Sequence, residues 1–533
     1  PPRPTEGFRR STTMGTTASR IVRSLAFMAV ILCTRPAAAA WTTLEEAWYT
    51  MTLGGQPCGH LRIELQQDGD LFRTVSESTL SLARAGAAIS VTVSSTFDER
   101  ADRTPVAASL TQSMGGAPTT TEWRFGPTGI EVKAQQGGRV TTSTKPLPPA
   151  GWLTPRAADA LRKKALKDGL ATVEFTTIDP QNGTAPMTVK STRTGNGPLT
   201  IDGKQVAGSS WTTRTSMLPI DTVEEYDDQG RMMRQVTPMA LGNIEAVLTT
   251  KAKALGGGAA GGAPAGGAPA PAGAAAGGPA AAPELLTASF IQLGASVPDL
   301  DCADIVVWDL RTKDGTPLDL PDGGGQTTAR TDRGERVFVR RGGTTPAPTG
   351  DALKEFLEAS QMCDVNDARL KALAKRALRG KENAPAAERA EALRVFVLEY
   401  IDDKNLGSAF ASASDVARSK SGDCSEHATL LAALLRCAGI PSRGATGLVY
   451  ADSFAGGKHV MGWHMWTQAA IDGKWVDLDA TRPDCPFDGG HILTGTTALG
   501  DGGLGGDLGS VVALLGNLAV DGVEVGGARK PAP

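Results

Sequence analysis

From residue 41 to residue 254, apolar and polar positions alternate in short runs: AWYTMTL, HLRIELQQ, LFRTVSESTLSL, ISVTVSSTFDE, TEWRFGPTGIEVKAQ, ATVEFTTIDP, MTVKSTRT and EAVLTTKA. Gly, Asp and Asn fall between them. A period of two sends successive side chains to opposite faces of a strand, so the pattern predicts an antiparallel β-rich domain. One stretch, Pro155 to Lys167, departs from it, with helical spacing and a proline suited to a first turn. Trp48, Trp123, Trp152 and Trp211 are scattered through the runs and read as core rather than as a ligand platform. No catalytic constellation stands out in this half.

The alternation stops at residues 256 to 283, which contain only Gly, Ala and Pro. Nothing there can build a core, and the stretch is expected to be a disordered tether spanning about 30 Å, at ~5–6 Å per square root of residue number. Beyond it, DIVVWDL and RVFVRR predict a small β module over 284–349. Helical periodicity then takes over. NDARLKALAKRALRG (366 to 380) ends on a glycine, and APAAERAEALRVFVLEYID (384 to 402) carries Pro385 in its first turn. A third helix starts near Asp423 or Cys424, runs through Leu430, Leu431, Leu434 and Leu435 to Gly439, and stops at Ile440-Pro441. Strand-like RGATGLVYA, HMWTQAAID and KWVDLDAT follow. The expected fold is therefore α+β and multidomain. A β-rich domain (41–254) leads through a linker (255–283) and the small module (284–349) to a helix-and-strand domain (350–500) and a Gly-rich return segment (501–533).

Composition narrows the partners. The 54 basic and 57 acidic residues leave a net charge of −3 with no dense Lys/Arg run, so no electrostatic footprint for nucleic acid or an anionic membrane exists. Near the beginning, Arg20 and Arg23 precede nine apolar residues, Leu25 to Cys33, and then small residues up to Ala40. That is the pattern of a signal peptide, too short to span a bilayer. Residues 1–40 are read as this segment with an upstream extension, and the mature chain is expected to begin near Trp41, exported to the periplasm or cell envelope with no transmembrane span. The Gly-rich GDGGLGGDLGSVV (500 to 512) lacks the Lys-Ser/Thr ending of a phosphate loop and reads as a return loop.

The cysteines carry the chemistry. In SGDCSEHATLLAALLRCAGIPSRG (421 to 444), Cys424 lies before the apolar run rather than inside it, at the first turn of the expected helix. Unpaired N–H groups and the helix dipole there favour a thiolate. A thiolate hydrolase also needs an imidazole and a group that orients it. His464 opens the strand HMWTQAAID, and Asp472-Gly473 is a two-residue hairpin turn. Folding about that turn pairs 471 with 474 and 466 with 479, which puts His464 and Asp479 on one face as diagonal neighbours. Asp477 shares the face but lies opposite Gln468, farther from His464.

The ordered blocks GDCSEHATLLAALLRCAGIPSRG, HMW and WVDLDAT, within about residues 365 to 485, resemble the transglutaminase-like superfamily of papain-like cysteine hydrolases. The resemblance implies Cys424 as nucleophile, His464 as general base and acid, and Asp479 as the orienting carboxylate. It also implies a helical lobe that sets the cysteine's helix against an antiparallel sheet. Hydrolysis of an amide in a protein or peptide of the cell envelope is the expected reaction, with glutamine transamidation, or a non-catalytic envelope binding protein keeping the fold, as alternatives. No acidic loop for calcium is present, and no cofactor or metal is expected. A zinc site built from Cys424, His427, His459 and His464 has suitable ligand types, but it leaves WVDLDAT without a role. His427 is expected to pack or hydrogen-bond on the helix, and Glu426 to support its start or pair with Arg443. Cys437 and Cys485 read as core or as a local disulfide.

Overall fold

Fourteen strands between residues 42 and 249 form one antiparallel sheet, as the alternating pattern predicts. The computed structural model describes residues 41–526 except 85–86, 115–117, 137–138, 202, 218–219, 240, 257–281, 301–302, 407–409, 501–510 and 512–513. The segment read as a signal peptide, most of the Gly/Ala/Pro stretch, Cys302 and nearly all of the 500–512 stretch lie outside the described residues. Sequence neighbours are sheet neighbours almost throughout. There are two exceptions: Thr42–Leu53 pairs with both Gln56–Asp68 and Ile244–Thr249, so two meanders join along it, and the consecutive strands Arg139–Lys145 and Thr172–Thr177 lie at opposite edges. The helix Pro155–Lys167 lies where its periodicity placed it, and its Ala165 packs with Val173, Trp211 and Tyr226. Trp123 is buried with Phe97, Ile130 and Val132.

Downstream, two sheets share one core. A six-stranded sheet contains Ser442–Phe454, Gly457–Ile471, Lys474–Leu478 and His491–Thr497, with two-residue strands at Ile291–Gln292 and Thr345–Pro346. A four-stranded sheet is built on Ile305–Thr312, which pairs with Glu335–Arg340 on one side and with Leu518–Gly526 on the other. Val306 and Trp308 from the second sheet are fully buried in one cluster with Leu448 and Trp466 from the first. The residues read as a small β module thus take a strand from the return segment and bury their apolar face against the larger sheet.

The helix Cys424–Cys437 passes through the middle of the C-terminal region. Ser425 to Arg436 are all buried, so it is enclosed on every side, as its nearly continuous Ala and Leu require. The helices Ala368–Ala377, Ala386–Tyr400 and Ala413–Ser419 pack around it through Leu370, Leu393, Val397 and Val416. On its other side Thr467 Oγ1, from the strand Gly457–Ile471, donates to the Ala428 carbonyl at 2.9 Å. Among the described residues no helix is long and apolar enough to cross a membrane.

Candidate functional site

The Gly-Asp pair before Cys424 makes a tight helix entrance. Gly422 has φ 147°, and a Cβ there would lie 2.3 Å from the Glu426 side chain, so only glycine fits. Asp423 caps the helix: its Oδ1 accepts from Ser425 N at 3.0 Å, while its own N–H donates to Glu426 Oε2 at 3.0 Å. Glu426 also accepts from Ala411 N at 2.8 Å, and burial with the nearby Asp423 charge pushes its carboxyl up to about 7. It does not meet Arg443, which stacks on Trp475 at 4.1 Å and donates to Gln468 at 2.9 Å. Cys424 is left half-buried at the first helical position, where backbone N–H groups have no helical partner.

The opposing sheet brings the imidazole. The hairpin about Asp472-Gly473 has the register that a two-residue turn dictates, with Ile471 opposite Lys474 and Gln468 opposite Asp477. Asp479 follows one residue after the strand ends. His464 Nε2 lies 2.8 Å from Asp479 Oδ2, and the Cys424 side chain lines the same cavities as the imidazole, near enough to favour its proton. An ionised carboxylate only accepts, so Nε2 carries a hydrogen and Nδ1 is the nitrogen left for the thiol. Burial alone would lower the His464 imidazolium. The Asp479 charge and the Cys424 side chain outweigh burial and hold it at about 9.

Asp479 is almost wholly inaccessible, yet all its oxygens are used. Oδ1 accepts from Thr481 N at 2.8 Å and Thr481 Oγ1 at 2.7 Å. Oδ2 accepts from His464 and, at 3.1 Å, from His491 Nε2. Burial would raise this carboxyl, but the two imidazoles hold it well below the usual carboxylate range. Its carbonyl accepts from the buried Arg394 at 3.2 Å, which ties the segment to the helix Ala386–Tyr400.

His491 is a component that sequence reasoning missed. Its Nδ1 meets Asp488 Oδ1 at 2.9 Å while Nε2 meets Asp479, and only an imidazolium donates from both nitrogens. Burial would lower it, but the Asp488 and Asp479 carboxylates hold it at about 9. Asp488 in turn lies 3.0 Å from Arg482 and is kept down at about 2, against its burial, by His491 and Arg482. Nothing local marks His491. It begins a strand on the far side of Ser442–Phe454, and only the register of that third strand, with His491 opposite Val449, brings it to Asp479.

The remaining sequence candidates are placed elsewhere. Asp477 is buried 2.9 Å from Trp466 Nε1, 2.7 Å from Gln468 Nε2 and 2.7 Å from Gly325 N, joining the two downstream sheets rather than touching His464. His427 places Nδ1 2.6 Å from the Asp423 carbonyl, so Nδ1 carries its hydrogen. His459 points its Nδ1 at Asp452, 3.3 Å away. The four proposed zinc ligands are therefore not turned to a common point. His464, Asp479 and His491 do present three ligand atoms within 4.8 Å of one another, a set that could hold a cation but whose members bond directly to each other. Cys58, Cys363, Cys424, Cys437 and Cys485 are all free thiols.

Comparison with known proteins finds a family in one region of the chain. Residues 371–480 match the family model described as the transglutaminase-like superfamily, so a transglutaminase-like domain containing Cys424, His464 and Asp479 occupies that part of the chain. A domain of this kind points to an enzyme of the cysteine-hydrolase type. No curated protein matches the sequence. Three solved structures overlap parts of the chain. One is a β-barrel-like protein of unknown function from Brucella abortus, at 12% identity, covering 38% of this chain and 94% of its own, with a TM-score of 0.30. A candidate cysteine protease from Cytophaga hutchinsonii matches at 18% identity, 44% and 86% coverage and a TM-score of 0.26. A candidate protease from Parabacteroides distasonis matches at 11% identity, 70% and 69% coverage and a TM-score of 0.17.

Proposed function

We propose that the protein is an exported cysteine hydrolase that cleaves an amide bond in a protein or peptide of the cell envelope. Cys424 Sγ attacks the amide carbonyl carbon, and the electron pair of the C=O bond moves to oxygen. As the tetrahedral species collapses, the C–N bond breaks and the imidazolium of His464 gives its proton to the departing nitrogen. Water then attacks the thioester, His464 takes its proton, and the acid leaves as the thiol is restored. Asp479 holds the ring with Nε2–H toward itself and stabilises the imidazolium.

The observation that carries this reading is the 2.8 Å contact between His464 and Asp479 with the Cys424 side chain near the same imidazole, at the start of a capped helix. Export rests on the basic-then-apolar pattern of residues 20–40. The test is to label the mature chain with iodoacetamide between pH 5 and 8, with and without a chelator. Labelling selective for Cys424 and lost in His464→Ala supports the hydrolase. Protection relieved by the chelator indicates a metal site instead, and slow labelling at every cysteine indicates a binding protein. Supplying a primary amine with a glutamine peptide separates water from amine as the acceptor.

A further inference from the structure

Cys424 and His464 line two adjoining cavities, which also share Arg84, Leu286 and Trp463. The first, about 450 Å³, is walled partly by polar side chains including Lys404, Asn405, Tyr450 and Arg482. The second, about 290 Å³, is different in kind: Leu82, Ile89, Val91, Phe410, Met465 and Leu515 line it. Its charged lining residues are Arg84 and His464. Arg84 ion-pairs with Asp423, and His464 with Asp479.

Leu82, Ala83, Ile89 and Val91 of that apolar wall come from the N-terminal sheet. The strands Leu71–Arg84 and Ala87–Arg100 pair Leu82 with Ile89 and Leu80 with Val91, which sets these side chains and Arg84 on one face. The hairpin also overruns its sheet, because pairing with Gln56–Asp68 ends where Gly59 meets Leu80. Residues 283–285 take up the backbone beyond that point: Ala83 N donates to Pro283 O at 2.8 Å, and Leu285 N to Ala83 O at 2.9 Å. The projecting end of the strand Leu71–Arg84 is thus held by residues 283–285 and by an ion pair to the residue before Cys424.

We infer that this apolar cavity is the subsite for the side chain of the substrate residue that supplies the scissile carbonyl, and that the projecting end of this hairpin sets the preference for an aliphatic or aromatic group there. The inference rests on the reading of Cys424 as the nucleophile. A cavity that opens on the sulfur and the imidazole lies within reach of the groups flanking the bond under attack. Its own charges are already matched, so it holds no free counter-ion for a carboxylate or ammonium, and the Ser289 and Ser425 hydroxyls on its wall are already hydrogen-bonded, so a polar side chain would trade its water for little beyond Thr446 Oγ1. An apolar side chain gains by the same transfer.

The test uses two peptidyl vinyl sulfones that differ only in a leucyl or a seryl side chain beside the reactive group, with iodoacetamide as the control. The thiolate adds to the β-carbon of the vinyl group, the α-carbon takes a proton from His464, and nothing leaves. The leucyl probe should modify Cys424 at least about tenfold faster than the seryl probe, the scale on which an apolar pocket discriminates. Ile89→Ser should bring that ratio toward one while the iodoacetamide rate stays unchanged. Leu82→Trp fills the cavity instead of emptying it, and should slow the leucyl probe alone, which guards against an Ile89→Ser hairpin that fails to fold. Equal rates for the two probes on the unaltered protein overturn the subsite and leave the hydrolase reading intact, provided iodoacetamide labelling of Cys424 depends on His464. Labelling that ignores His464 overturns the hydrolase reading itself.

Discussion

The N-terminal sheet and the C-terminal region bury their side chains in opposite ways. Along the fourteen strands the apolar residues form separate small groups, one around Trp123, one around Trp211 and Tyr226, and one around Leu199 and Met233. Downstream, two large clusters occupy the two sides of the six-stranded sheet, one built on the Cys424 helix and one on Trp308 and Trp466. The second kind of interior holds Glu426, Asp477, Asp479 and His491 at 6% exposure or less, whereas the buried acids of the sheet, Glu64, Glu99 and Asp227, are each matched by arginines that remain partly exposed. Buried charges need partners, which the dense core supplies as buried histidines, amides and backbone groups and the sheet supplies as arginines reaching in from its surface. Such a sheet can also let a hairpin project beyond its neighbours.

The largest effects should therefore follow changes in the dense region. Cys424→Ala or His464→Ala should lower amide turnover by about 10³-fold or more, read as kcat/KM on a protein whose melting is unchanged. Asp479→Asn should cost about 10²- to 10³-fold, because the ring stays but its orienting acceptor weakens. Asp477→Asn separates a structural role from a catalytic one. It should spare most of the activity yet lose about 1–3 kcal/mol of stability, through the donors of Trp466, Gln468 and Gly325 left poorly matched. If Asp477→Asn damages turnover more than Asp479→Asn, the assignment of the two carboxylates is wrong.

On the sheet side, Trp123→Ala should cost about 3–5 kcal/mol in denaturant unfolding, as a fully buried large side chain does. The rate of iodoacetamide labelling at Cys424 should stay as it was. A parallel loss of labelling would mean that the two interiors are one cooperative unit and would erase the contrast.

The smallest effect concerns pH. His464 and His491 are held at about 9 against an ordinary value of 6.5. Their folded-state pKa values are raised, so the stability they contribute is complete below about pH 6.5 and is lost as pH rises through 9. Melting temperature should fall across that window, and turnover should fall with it as His464 loses the proton it gives to the leaving group. His491→Gln should flatten the melting profile while leaving a decline in turnover due to His464. An unchanged melting profile in that variant would show that His491 is not the buried imidazolium its two carboxylates imply.

Much of this region was legible in the sequence because its signals are local. A glycine and an aspartate before an Ala/Leu run mark a helix start with one cysteine in its first turn, and Asp472-Gly473 sets a register that can be counted outward to Asp479. The helices near 155, 370 and 390 were legible from their spacing for the same reason. His491 was not, since its place beside Asp479 depends on a strand inserted across the sheet. Neither was the share of Leu82 and Ile89 in the wall near Cys424. Their alternation specifies a strand and a face, but it says nothing about which distant surface the face meets. The pairing of Ile305–Thr312 with Leu518–Gly526 is similarly non-local, and a Gly-rich composition concealed it.

That last pairing imposes an order in time. Arg311 and Asp521, 210 positions apart in the sequence, meet at 2.9 Å on adjacent strands. The strand Ile305–Thr312 therefore waits for its second neighbour until residues 518–526 have been made, after the helix of Cys424 has emerged. Joining segments so distant is slow. Because Trp308 on that strand donates to the Gly489 carbonyl at 2.8 Å, two residues before His491, the sheet's completion and the setting of the buried imidazolium are coupled. A nascent chain would carry its thiol well before the surroundings that could make it reactive, and the last strand would act as the timer.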